Sequence, residues 1–156
     1  MKLKTSLSLF LLVLSAKCQY SENRYARHAV TRQQLVGTWT ATDFSLGCLA
    51  KLPNEGHLTK SENQLVLRQD GSCFCQRLPE PGNRSYTARI REHAVFDAGC
   101  TWSLRQGAHQ ELIITTERNG GASFYFDDSE GRLIAWQYVN DPDAWQYVEF
   151  EPASKS

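Results

Sequence analysis

The chain reads as an all-β protein, an antiparallel up-and-down barrel of about 8 to 10 strands with a short N-terminal helical turn. Three observations carry that reading. Short runs rich in β-branched and aromatic residues follow one another at close spacing, from Leu35 to Phe150. Turn sequences separate them: Asp70-Gly71, Asn119-Gly120-Gly121 and the stretch from Asp127 to Gly131 all tolerate the backbone angles that tight connections demand. No apolar period of 3.6 residues is sustained long enough to make a major helix. Closure into a barrel removes the exposed edges that an open meander would present.

Taken in order, residues 1–18 have the layout of a secretory signal: Lys2 and Lys4, an apolar run from Leu7 to Leu14, then Ser15, Ala16, Lys17 and Cys18. The run is too short to span a bilayer. Residues 19–34 are polar, frayed at first, with a helical turn near the end, because Thr31 and Gln34 stand at capping-box spacing. Strands are expected at residues 35–44, 64–69, 72–78, 86–91, 93–96, 100–105, 111–117, 122–127, 132–139 and 145–150. Residues 45–63 form a long loop with Gly47, Pro53 and Gly56, the size of a functional lid or a stapled surface excursion. The mature residues 19–156 suit a single domain.

Export sets the cysteine chemistry. Cys18 either leaves with the signal or stays as a lipid anchor, since Leu14, Ser15 and Ala16 before it resemble a bacterial lipobox, although Lys17 stands where a small residue belongs. Cys48, Cys73, Cys75 and Cys100 remain, an even number that two disulfides satisfy. A bond between Cys73 and Cys75 would be cramped, so both other pairings tie strand 72–78 to the segments around Cys48 and Cys100. A four-thiolate zinc site fits less well, because Cys-x-Cys lacks the usual gap. Losing Lys2, Lys4 and Lys17 leaves 14 basic side chains against 17 acidic ones, a net charge of −3, which does not suit a nucleic-acid backbone.

Leu35-Val36-Gly37-Thr38-Trp39 places Gly-x-Trp at the start of the first strand, behind a capped turn and ahead of a long first loop and a run of hairpins. This arrangement resembles the lipocalins and their calycin relatives, although their Thr-Asp-Tyr motif and long C-terminal helix are not found. The resemblance implies a lipocalin-like barrel in which Gly37 and Trp39 are structural, Trp39 packs under the core at the closed end, and residues 45–63 cover the open end.

An internal repeat stands out near the C-terminus: Ala135-Trp136-Gln137-Tyr138-Val139 recurs as Ala144-Trp145-Gln146-Tyr147-Val148. A hairpin centred on the turn sequence 140–143 sets Trp136 opposite Tyr147 and Tyr138 opposite Trp145, with all four rings on one face. Cross-strand aromatic pairs contribute about 0.2–1 kcal/mol each, so the ladder stabilises the hairpin by itself. As a site, Trp136, Tyr138, Trp145 and Tyr147 either line a cavity or form an exposed platform, where flat rings with polar tips suit a small apolar or amphipathic ligand or a protein partner. Phe124, Phe126 and Trp102 are expected in the core.

Catalysis finds no support: there is no Gly-x-Ser-x-Gly elbow, no His-Glu-x-x-His and no phosphate loop, and His28, His57, His93 and His109 lack ligand spacing. The expectation is therefore a secreted or periplasmic non-enzymatic binding protein without a metal or cofactor, its partner a small amphipathic ligand held in the barrel. The alternative is an inhibitor or immunity-type protein that binds an exported protein through loops and the aromatic hairpin.

Overall fold

A computed structural model of the chain describes residues 24–49, 59–79, 95–116, 120–128, 131–138 and 147–153. The signal-like segment, the strand expected at 86–91 and Trp145 lie outside the described residues.

Thr31 begins the order. Its side chain accepts the backbone N–H of Gln34 at 3.4 Å while its own N–H donates to Gln34 Oε1 at 2.8 Å, which closes the capping box and starts α1 (Arg32–Leu35). Gly37 then turns the chain with φ of 142°, a conformation side chains disfavour, and β1 (Gly37–Ala41) follows. Leu35 is buried in the core, and the indole N–H of Trp39 donates to its carbonyl at 2.8 Å. Helical turn and first strand are thereby locked together at the Gly-x-Trp motif.

The expected strand 35–44 is shorter than read. Thr42 Oγ1 accepts the N–H of Ser45 and the Thr42 carbonyl accepts that of Leu46, so the chain leaves β1 directly into α2 (Asp43–Leu49). A helix thus occupies the start of the stretch expected as a loop. The remaining strands are β2 (Gln64–Leu67), β3 (Ser72–Pro79), β4 (Val95–Arg105), β5 (Glu111–Thr116), β6 (Gly120–Asp127), β7 (Ile134–Tyr138) and β8 (Tyr147–Pro152). The two strands expected at 93–96 and 100–105 are one, because pairing with β3 carries β4 straight through Gly99.

Every strand pairs antiparallel with its sequence neighbour and β8 returns to β1, so the described residues form a closed eight-stranded barrel. Alternation decides what fills it. Trp39, Leu65, Leu67, Cys73, Cys75, Trp102, Leu112, Ile114, Phe124, Phe126, Ala135, Val148 and Phe150 pack into one core. Phe124 and Phe150 meet edge to face across it at 5.8 Å. Between Cys75 and Leu78 the register with β4 shifts, with Arg77 at φ 50°. That bulge turns Leu78, not Arg77, into the core. No helix among the described residues is long and apolar enough to cross a membrane.

The last hairpin differs from the expected register by two residues. Tyr138 pairs with Tyr147 and Trp136 with Glu149, where the even loop read from the sequence had paired Trp136 with Tyr147. A shift of two leaves each side chain on its face. Trp136, Tyr138 and Tyr147 therefore still share one side of the hairpin, and Ala135, Gln137 and Val148 the other.

Candidate functional site

The shared aromatic face is the outside of the barrel. Ala135, Val148 and Phe150 belong to the core, which leaves Trp136, Tyr138, Tyr147 and Glu149 on the outer wall, joined by Tyr125 of β6. Trp136 is nonetheless only 1% exposed. Besides its neighbours on the wall, the segment ahead of α1 packs against it.

Residues 24–30 cross this outer wall as a strap. The Ala26 N–H donates to the Phe126 carbonyl at 2.6 Å, and Val30 exchanges hydrogen bonds with the Gln110 side chain. Asp128 accepts the N–H groups of Arg27 and His28 and contacts His28 Nδ1 at 2.8 Å. These bonds, the Arg27 N–H foremost and the His28 ring next, hold the Asp128 carboxyl below the usual carboxylate range. Upstream of the pins, Tyr25 stacks on His109 at 3.5 Å, meets Tyr125 edge to face at 5.3 Å and lies tilted against Trp136 at 5.5 Å. The Arg24 guanidinium lies 3.7 Å from the centre of the Tyr147 ring and 5.0 Å from that of Trp136, and pairs with Glu149.

Around Trp136 the rings are dense. Tyr138 is T-shaped to it at 5.1 Å, Tyr147 at 6.4 Å, and Tyr125 is tilted at 5.2 Å. Not every buried polar group there is satisfied, however: Trp136 Nε1 and Arg24 Nε are buried donors without an acceptor among the described residues.

Beside the strap lies a cleft of about 460 Å³, lined by Arg24, Thr42, Asp43, Phe44, Asp127, Arg132, Ile134, Tyr147, Glu149 and Glu151. Its size falls within the range of ligand pockets, about 300–1,000 Å³. Helix α2 forms one wall: the Ser45 hydroxyl accepts the Glu149 N–H at 2.6 Å, the Thr42 N–H donates to the Glu149 carbonyl, and Thr42 Oγ1 donates to Glu149 Oε2. These bonds set Phe44 over Tyr147, stacked at 5.0 Å, with 48% of Phe44 exposed. At the rim Lys60 bridges Glu151 at 3.1 Å and Asp43 at 3.3 Å, and both hydrogen bonds raise its pKa, Glu151 more. Arg132 reaches Glu151 at 3.2 Å. Four carboxylates face two arginines in the lining.

Cys73, Cys75 and Cys100 fall elsewhere, inside the barrel. Cys73 and Cys100 are directly opposite on β3 and β4, and their disulfide staples the two strands. Cys75 carries a free buried thiol 3.1 Å from Cys100 Sγ, and burial pushes it up to about 12. The tie expected between strand 72–78 and Cys100 is present. Cys75 is not disulfide-bonded, so the second expected bond is absent among the described residues, and the Cys48 side chain lies outside them. One further polar group lacks partners: Asn63, fully buried two residues before Leu65, has neither amide atom hydrogen-bonded.

Of the residues singled out in the sequence, Trp136, Tyr138 and Tyr147 come together, while Gly37 and Trp39 sit at the capped entry to β1. Arg24, Tyr25, Phe44 and Glu149 were not singled out. Their only sequence signal is an Arg-Tyr pair in an otherwise polar segment and a carboxylate one step beyond the repeat. Comparison of the chain with known protein families, with curated proteins and with solved structures returns no match.

Proposed function

We propose that this chain is an exported, non-enzymatic binding protein on a lipocalin-like scaffold, and that it holds an amphipathic cationic ligand on its outer wall. The observation that carries this reading is the cleft beside Tyr147, where aromatic faces from Phe44 and Tyr147 meet an excess of carboxylates. A cation with a flat apolar body suits both, the body against the rings and the charge beside four lining carboxylates that Arg24, Arg132 and the rim Lys60 do not fully balance. The signal layout and the Cys73–Cys100 staple support export.

Calorimetric titration with phenethylammonium, phenethyl alcohol and phenylacetate tests it. Phenethylammonium should bind, the other two should bind at least about tenfold more weakly, a difference of about 1.4 kcal/mol, and Phe44→Ala should weaken the ammonium. Equal affinity for all three, or none for the cation, removes this reading.

A second reading, a ligand between the barrel walls, draws on Asn63, whose buried amide would be satisfied by a polar guest group. Native mass spectrometry of protein from its own host would then show a retained small molecule that Asn63→Leu loses. A guest-free wild type leaves the outer wall alone as the site.

A further inference from the structure

We infer that the Arg24–Tyr25 strap is an intramolecular stand-in for a partner's peptide, and that the outer wall recognises an arginine followed by an aromatic residue in an extended segment of another exported protein. The inference rests on the outer-wall reading above and names the class of partner.

The groove shows its preference through its occupant. One pocket takes a guanidinium: Tyr147 offers its face at 3.7 Å, Trp136 flanks it at 5.0 Å, and Glu149 supplies the counter-charge. The next takes a ring, between His109 at 3.5 Å and the rings of Tyr125 and Trp136. Two consecutive side chains of one chain fill both.

The fit is incomplete in a way that invites exchange. Trp136, 1% exposed beneath the strap, has a buried indole N–H with no acceptor among the described residues, and Arg24 Nε is in the same condition. A buried donor left without an acceptor is a net cost to the folded state. A covalently attached occupant tolerates that cost because its effective concentration is high. A partner segment that brings a carbonyl oxygen to Trp136 Nε1 makes a bond the strap does not. The pins on the strap lie downstream, at Ala26, Arg27, His28 and Val30, so Arg24 and Tyr25 can lift while the rest stays docked.

The test uses the full chain and a fluorescein-labelled peptide copying residues 22–27, read by anisotropy. An Arg24→Ala/Tyr25→Ala variant, with the groove vacated, should bind the peptide at least tenfold tighter than the wild type does. A control peptide with alanine at both positions should bind neither protein. In the wild type, millimolar unlabelled peptide should change tryptophan emission, and that change should vanish in Trp136→Phe, a readout that does not depend on the double variant folding. Equal binding by wild type and a folded double variant, equal binding of the alanine peptide, or unchanged wild-type emission overturns the inference. If phenethylammonium binds the cleft while the peptide fails, displacement falls and the cleft reading stands.

Discussion

Trp39 and Trp102 on the inside of the barrel and Trp136 on its outside are equally buried, yet they are held differently. Each interior indole donates to a backbone carbonyl at 2.8 Å, Trp39 to Leu35 and Trp102 to Arg68, and each belongs to the common core. Trp136 has no acceptor among the described residues, stands apart from that core, and is packed between tyrosines of the outer wall and two side chains of a strap. Burial alone therefore does not separate framework from site. Hydrogen-bond closure does, because a satisfied buried group has nothing to gain from a newcomer.

The sharpest way to break this contrast is by substitution on both sides of the wall. Trp39→Ala should cost about 3–5 kcal/mol in urea unfolding, since it opens a cavity in the closed core. Trp136→Phe should cost within about 1 kcal/mol, because it keeps most of the ring contacts and deletes an N–H that has no partner. If the two conservative changes Trp39→Phe and Trp136→Phe prove equally damaging, the outer wall is framework too.

Next in size is the staple. Cys100→Ser should destabilise by about 2–4 kcal/mol, the usual worth of a disulfide closing a loop of this order, its ends 27 positions apart in the chain. Cys75 provides the internal control. With its thiol pushed up to about 12 it should resist iodoacetamide at pH 8 in the native protein and react only after urea unfolding, read by mass spectrometry. Labelling of the folded protein would show that this part of the interior opens.

Much of the framework was legible because its signals are local. Asp70 accepts the Ser72 N–H at 2.8 Å and Gly71 takes φ of 92°, as a turn at that dipeptide requires. Thr31 and Gln34 cap each other as their spacing implies. The parity of the aromatic repeat was legible for the same reason, and survives a two-residue slide in register. Which face turns inward was not. Period-two alternation groups Trp136 with Tyr138 and Tyr147 but is silent on direction, and that is decided by the rest of the barrel, whose interior Trp39, Phe124, Phe126 and Phe150 already occupy. The smaller Ala135 and Val148 fit what space remains. Arg24 and Tyr25 were read as frayed because their partners, Glu149 and His109, lie far along the chain. The bulge at Arg77 has no residue signature of its own.

Glu149 gives a smaller effect that bears directly on the site. Glu149→Gln should lower stability by about 1–2 kcal/mol, the cost of loosening a charge-assisted bond to Arg24 in partly buried surroundings. Acrylamide should then quench Trp136 more strongly, while Trp39 and Trp102 stay protected. Unchanged quenching would mean that Tyr25 alone seals the groove.

The smallest expected effect is the pH response of the strap's lower pin. Asp128 has a folded pKa below its ordinary value of 3.8, lowered first by the Arg27 N–H and then by His28. The sign follows from linkage: a carboxyl with a depressed folded pKa stabilises the fold fully above 3.8, and that contribution disappears as the pH falls through the lower folded value. Wild type should therefore exceed Asp128→Asn in thermal stability at neutral pH, and the two should converge in acid below 3.8. Because Asp128 holds Arg27 and His28, Trp136 in the variant should also become easier to quench at neutral pH, whereas Trp39, tied to Leu35 inside the barrel, should not. A pH-independent gap between the proteins would assign Asp128 a packing role and leave the strap pinned by Ala26 and Val30 alone.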